Sequence, residues 1–378
     1  MIDLKNKIAC LIWGGYARGN TGDELCLAAA LERKQAEGVG QVAVLSHRPE
    51  YTARFFPDAT IIPYVPPVRR KNRFWSKTLR LIRRDRLIIP RTGFRDAMHF
   101  DPDAEWVRAL SHAKQLYLAG GGYLTDLFPL QAILPPIQLA NWLKVPVVTA
   151  PIGIGPIKDD HWAEIVVAAL RGGQLLVRDE ASMEFCQRNK LLAKQEPDDA
   201  FAFVKKICPS VLKPAHQTRR KIGVCIFPQY GRQENCDLSE WWISFLRGLQ
   251  AEHPGHDIEG FCFHTSLEAE FAEMKKLFAQ AGLNSAQVLS PATSLLQAMA
   301  TVCSYAFIVS TRFHAVVVAN ALRIPNVAVA SGDYYQAKMK SAVSGHEKIS
   351  RCVNPHLLSP EDLLAICKSK LADVSRRD

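Results

Sequence analysis

Long apolar runs are missing from this 378-residue chain: no stretch approaches the ~20 consecutive apolar residues that a membrane-spanning helix requires. The apolar run at 8–13 follows the first lysines, but it is too short for the core of a secretion signal and leads straight into a glycine turn. It reads as a first strand, and the protein as cytoplasmic, at most peripheral at the inner membrane face. Low-complexity tracts and internal repeats are also missing, which argues against repeat architectures. The ten cysteines form no CxxC pair and no Cys/His cluster at zinc spacing, so reduced, mostly buried thiols are expected and no metal is. No recognised nucleic-acid module accompanies the positive charge, and no nucleic-acid partner is expected.

What the chain does have is length and basic charge. Single cores stop growing at roughly 250–300 residues, so two domains are expected. The net charge of +10 is concentrated: between Arg69 and Arg95 stand eleven Lys/Arg and one acid, Asp85. The core of that segment, RFWSKTLRLIRRDRLIIP, has helical order at about 100° per residue. Phe74, Trp75, Leu79, Leu81 and Ile82 fall on one side, and Arg73, Lys77, Arg80, Arg83 and Arg84 on the other. Such a helix either packs its apolar side on the core with its basic side in water, or is drawn to an anionic membrane surface or an anionic lipid-linked substrate.

Apolar runs alternate with helical patterns through both halves, as in parallel sheets covered by helices on both faces. In the first half strands are expected at 8–13, 41–46, 60–64, 115–119, 145–150 and 175–177. After PDDAFAF (197–203) the periodicity lapses, and KKICPSVLKPAHQTRRK (205–221) reads as a linker. Strands at 222–227, 258–263, 287–289, 305–309 and 326–330 then alternate with helices, and a last helix is expected near 360–370. The expected architecture is α/β: two Rossmann-like doubly wound domains, 1–204 and 222–378, facing a cleft.

Ionisable residues and glycine turns recur at the strand ends. STRFHAVVVANALRIPNVAVA (310–330) puts Arg312 and His314 where a strand meets a helix N-terminus, whose N–H groups suit an anion. GGYARGNTGDE is no P-loop, because it lacks the Lys-Ser/Thr after its last glycine, and its glycine spacing does not fit the dinucleotide fingerprint. It supplies a wide turn with Asn20, Asp23 and Glu24 at a helix entry, where Asp23 either caps the helix or orients a substrate. GGGYLTD, with Gly121, Gly122 and Asp126, is a second place for close backbone approach, and Arg178 follows the strand at 175–177.

Taken in order, GNTGDE, GGGYLTD, PIGIGP, VRDEAS, PDDAFAF, TRFHAVVVANALRIPNVAVA and YYQAK resemble the polysaccharide pyruvyl transferases, over about residues 13–338. The resemblance implies a GT-B-like fold, whose C-terminal helix is expected to pack back on the first domain. It also implies transfer of the enolpyruvyl unit of phosphoenolpyruvate, without a cofactor, to two hydroxyls of a sugar in a polysaccharide or its lipid-linked precursor. The family's donor-binding arginine and histidine match Arg312 and His314, its second arginine Arg178, and its Tyr-Asp-Pro-Lys lysine Lys338. Gln336 and Ala337 replace the Asp and Pro of that last motif, and Thr311 and Phe313 stand where the family usually shows Met and Leu.

A donor carrying a phosphate and a carboxylate calls for fixed positive groups, and Arg178, Arg312 and Lys338 are expected to supply them. His314 is expected to move a proton, and Asp23 to orient or deprotonate the acceptor from the opposite wall of the cleft. Asn20, Glu24, Gly121, Gly122 and Asp126 are expected on the acceptor side. Two other readings share the fold: a GT-B glycosyltransferase using a nucleotide sugar, and a catalytically silent sugar-binding relative.

Overall fold

The structure is a computed structural model that describes residues 8–70, 87–90, 97–211, 221–227, 237–264 and 268–375. The chain divides into two compact units, Met1–Ala17 with Ala29–Asp198, and Arg18–Ala28 with Asp199–Asp378.

The first unit is built on parallel strands in the order Thr60–Pro63, Val42–Ser46, Cys10–Trp13, Leu116–Leu118, Val147–Thr149. Leu11 pairs with Ala43 on one side and Leu116 on the other, so the first strand is central and reads as an unbroken apolar run. From the last two strands the chain steps into a second parallel row, ordered Ala193–Gln195, Leu175–Val177, Ile152–Ile154, Gly121–Leu124. Thr149 stitches the rows: its hydroxyl accepts from the Leu176 N–H at 2.7 Å and donates to the Leu176 carbonyl at 2.9 Å. Trp13, fully buried, gives its indole N–H to the Ile133 carbonyl at 2.8 Å, which meets the polar demand of a large core side chain.

In the second unit five parallel strands run in the order Asp257–Gly260, Lys221–Cys225, Phe307–Ser310, Asn326–Val329, Ser350–Val353. The order reverses between Lys221–Cys225 and Phe307–Ser310, and in open sheets of this kind ligand crevices form at the carboxyl ends of the strands flanking such a reversal. Helix Phe313–Ala321, which follows directly, is pinned from its far end: Asn320 donates to the Ala342 carbonyl at 2.7 Å and accepts from Asn326 at 2.7 Å, all buried.

Several expectations are corrected. The segment 205–221 is not all linker, because helix Asp199–Val211 runs through its first part and strand Lys221–Cys225 begins at its end. Ala200, Val204 and Cys208 recur at i, i+4 and i+8 and are buried, which is the driving force that the proline-rich reading missed. The expected strand at 287–289 is a 3-10 turn, Ser285–Gln287, followed by a single bridge from Val288 to Gly260. Of the basic amphipathic segment, 71–86 and 91–96 lie outside the described residues. Its last part, Leu87–Pro90, is not helical but a strand, in an antiparallel sheet ordered Val68–Arg70, Ala97–Phe100, Leu87–Pro90. The last helix, Pro360–Ser375, is part of the second unit and sets Leu363, Leu364 and Cys367 into its core, with Leu364 against Gly248 of helix Ser239–Glu252.

Candidate functional site

At the carboxyl end of Phe307–Ser310 the backbone is fixed by hydrogen bonds. The Thr311 N–H donates to the Cys225 carbonyl at 2.9 Å, the Thr311 hydroxyl accepts from the Phe227 N–H at 2.7 Å, and the Ser310 hydroxyl accepts from the Arg312 N–H at 2.9 Å. These bonds join the ends of the two strands that flank the reversal and set Arg312 as the N-cap of helix Phe313–Ala321. The Arg312 guanidinium meets Glu270 along one edge, Nε donating to Oε1 at 3.3 Å and Nη2 to Oε2, and its flat face lies 4.0 Å from the centroid of the Phe227 ring. The Glu270 side chain has no exposure to solvent, so its charge depends on this two-point contact. Around the pair, burial and the Glu270 carboxylate hold the Cys225 and Cys262 thiols protonated. Burial and the charge of Arg312 push His264 down to about 4, so it is neutral near pH 7.

In the first turn of the same helix, His314 is 4% exposed. Its Nε2 stands 3.6 Å from the thiol sulfur of Cys26, and Gly22 lies against its Nδ1 edge. The ring of Phe313 meets it edge-on at 4.9 Å between centroids. Lys338, on helix Asp333–Val343, places its ammonium 5.1 Å from the Phe313 centroid and 5.7 Å from that of Tyr334. Arg312, His314 and Lys338 thus gather around one short helix start.

The segment from Arg18 to Ala28 belongs to this unit. Asn20 bridges His264 in antiparallel fashion, and the Thr21 N–H donates to the Phe263 carbonyl at 3.3 Å. Asn20 occupies the cap position of helix Thr21–Ala36: its Oδ1 accepts from the Gly22 N–H at 3.2 Å, and its Nδ2 donates to Asp23 at 2.8 Å. Asp23 is therefore not the cap. It sits in the first turn, its carboxylate held by Asn20 and opposing Arg18, whose guanidinium burial pushes below its ordinary value and Asp23 pushes back up. The expectation that Asp23 belongs to the N-terminal domain is corrected, since it shares a unit with His314. Glu24 is fully buried.

Arg178 belongs to the first unit, and its side chain is 2% exposed. Its Nη1 donates to Asp198 at 2.9 Å, and its Nε lies 3.5 Å from an oxygen of Asp179. The guanidinium reaches this depth because Gly153 makes room: a Cβ there would lie 3.0 Å from Nη2 and 3.3 Å from the Cα of Gly122. Gly121 takes φ 128°, a conformation open to glycine. Asp126 accepts from the Lys158 N–H at 2.5 Å and the Asp159 N–H at 3.1 Å, so its carboxylate ties down the loop after PIGIGP.

The family model for "Polysaccharide pyruvyl transferase" matches residues 20–334. The chain belongs to the polysaccharide pyruvyl transferase family. No curated protein sequence matches it. Among solved structures it resembles the UDP-GlcNAc 2-epimerase of Methanocaldococcus jannaschii, with TM-score 0.58 and 11% identity over 96% of this chain and 92% of that one. The Neisseria meningitidis enzyme of that name, bound to UDP-GlcNAc, gives 0.55 and 10% over 97% and 93%. S. aureus MnaA with UDP gives 0.59 and 11% over 98% and 90%. At these identities the likeness shows the fold, which is GT-B-like.

Membership of the pyruvyl transferase family covers Asn20 to His314 among the expected site residues, whereas Lys338 lies past the matched stretch. Sequence reasoning missed Gly22, Cys26, Phe227, His264, Glu270 and Asp198. The Asp198 signal was present in PDDAFAF, as an acid beside an apolar helical stripe; Glu270, one of three glutamates in LEAEFAEM, carries no local mark of its task.

Proposed function

We propose that this member of the family transfers the enolpyruvyl unit of phosphoenolpyruvate to two hydroxyls of one sugar, forming a pyruvate ketal. The observation that carries the reading is the anchored Arg312: an arginine held at two points by a buried carboxylate, at a strand-order reversal and a helix N-terminus, with His314 two residues on. Such an arginine is suited to a phosphate or carboxylate, and Lys338 adds a second positive charge, its ammonium over the ring of Phe313 next to Arg312 in the chain. In the reaction a proton reaches the methylene carbon of the donor while the first sugar hydroxyl adds to the neighbouring carbon and gives up its own proton. The second hydroxyl then displaces phosphate, closing the ketal, and its proton leaves with the phosphate. His314 is the group assigned to the first proton exchange. Asp23, the residue after Gly22, which lies against His314, is held by Asn20 and is assigned to the acceptor hydroxyls. Arg178 is assigned to ordering the first unit through Asp198, because its guanidinium already faces two carboxylates.

The acceptor is a sugar of a polysaccharide or its lipid-linked precursor, and the basic segment 69–95 is assigned to an anionic membrane face. Sedimentation with anionic and neutral liposomes tests this last point, and equal negligible binding to both removes it. The competing reading takes a nucleotide sugar as donor, as the complexes of the similarly folded proteins hold UDP or UDP-GlcNAc. Proton NMR of an acceptor panel incubated with phosphoenolpyruvate decides: a new ketal methyl signal with release of phosphate supports pyruvyl transfer. Stabilisation by UDP-sugars alone, with no phosphate released, refutes it.

A further inference from the structure

Two residues near His314 have no task in the reaction above. Gly22 and Cys26 stand one turn apart at the start of helix Thr21–Ala36 and so share one face of it. That face carries the imidazole. A Cβ added at Gly22 would lie 1.9 Å from Nδ1, 2.1 Å from Cγ and 2.4 Å from Cβ of His314, far inside the ~3.5–4.0 Å of ordinary contact. The ring therefore rests directly on the backbone at Gly22, and the Cys26 sulfur stops its Nε2 end at 3.6 Å. The Asn20–His264 bridge and the Thr21–Phe263 hydrogen bond fix this helix start to the edge of the sheet.

We propose that Gly22 and Cys26 are positioning residues, a socket that sets the depth and plane of the His314 ring. The proposal rests on the proton-transfer role assigned to His314. Any side chain at position 22 must displace the ring by more than an ångström, and a misplacement of that size costs about 10²-fold in rate. Loss of the sulfur lets the Nε2 end lean, a smaller error. A merely structural contact would alter stability alone, whereas a positioning contact alters turnover at constant donor binding.

The test uses the full chain as Gly22→Ala, Cys26→Ala and Cys26→Ser. It measures melting temperature, kcat with KM for phosphoenolpyruvate, and the rate at which diethyl pyrocarbonate modifies His314, read by peptide mass spectrometry. In folded Gly22→Ala and Cys26→Ala the modification rate should rise several-fold. The kcat should fall about 10²-fold in the first and about 10-fold in the second, with KM within about threefold. Cys26→Ser, which keeps a small polar group, should recover most of both. An unchanged modification rate in the folded variants overturns the socket, and a raised rate with unchanged kcat overturns its bearing on turnover. If wild type releases no phosphate from phosphoenolpyruvate, the pyruvyl-transfer reading fails, while the modification rates still decide the socket. Should Gly22→Ala fail to fold, the Cys26 pair, which adds no carbon to the site, carries the decision.

Discussion

Replacing Arg312 by alanine should do two separable things, and their sizes follow from Glu270. The glutamate side chain has no solvent exposure and meets the guanidinium at two points, so the single variant leaves a carboxylate buried without its cation. Breaking a buried pair on one side typically costs ~3–5 kcal/mol, whereas removing both charges costs much less. At ~2–4 °C per kcal/mol for a unit of this size, Arg312→Ala should lower the melting temperature by on the order of 10 °C. The double variant Arg312→Met with Glu270→Gln should recover at least half of that loss. Binding behaves differently. Loss of a charged hydrogen-bond partner costs ~1.5–3 kcal/mol, or one to two decades in the Kd for phosphoenolpyruvate, and the double variant should not recover it. Differential scanning fluorimetry with and without donor reads both effects. A single variant that melts within 2 °C of wild type, or a double variant as unstable as the two singles summed, refutes the buried-clamp argument. Unchanged donor affinity refutes the assignment of Arg312 to the donor.

His314→Ala should lower kcat by ~10²–10⁴ with donor affinity within a few-fold, and near-normal turnover in a folded variant removes it as the proton-transfer group. Gly153→Ala should cost ~1–3 kcal/mol, because the Arg178 guanidinium 3.0 Å from the new Cβ is held by Asp198 and cannot swing aside; an unchanged melting temperature contradicts that packing. His264, lowered to about 4 in the fold, takes up its proton in the unfolded chain first, at about pH 6.5. Its contribution is therefore complete above about pH 6.5 and lost as the pH falls toward 4, by up to ~3 kcal/mol. His264→Gln should flatten the melting temperature over that window, and parallel curves for wild type and variant would exclude it.

Strand positions in the second unit were legible because fully buried parallel strands such as Phe307–Ser310 and Asn326–Val329 are short apolar runs bounded by polar turns. The helix Asp199–Val211 was not, because Pro209 and the basic residues around it outweighed the Ala200, Val204, Cys208 stripe. The placement of Asp23 failed for a topological reason. A helix that directly follows the first strand is naturally assigned to that strand's domain, but its first turns are held by His264 and Phe263 of the second unit. Arg312 and His314 were legible by their place between strand and helix. What holds them was not: Glu270 lies 42 residues away in sequence from Arg312, and Cys26 lies 288 from His314, so no local pattern joins them.

The motifs divide by what they pack as much as by what they react with. VRDEAS meets PDDAFAF through Arg178 and Asp198, Gly153 of PIGIGP makes room for that guanidinium, and GNTGDE receives the imidazole of TRFHAVVV. Lys338 stands apart, since the Asp and Pro that precede the family's lysine are Gln336 and Ala337 here. Phe313, standing where the family usually has Leu, puts an aromatic face under the ammonium at 5.1 Å, between Arg312 and His314 in the chain. A cation–π contact at a half-buried site contributes ~0.5–1 kcal/mol, enough to bias a flexible lysine toward one rotamer. If the two departures from the family pattern are linked, the aromatic ring orients the lysine in place of the missing Asp and Pro. Phe313→Leu should raise the KM for phosphoenolpyruvate about two- to fivefold in the presence of Lys338 and have little further effect in Lys338→Met, by the same energy. Equal effects of Phe313→Leu in both backgrounds would show that the ring and the ammonium act independently and would end this account of Lys338.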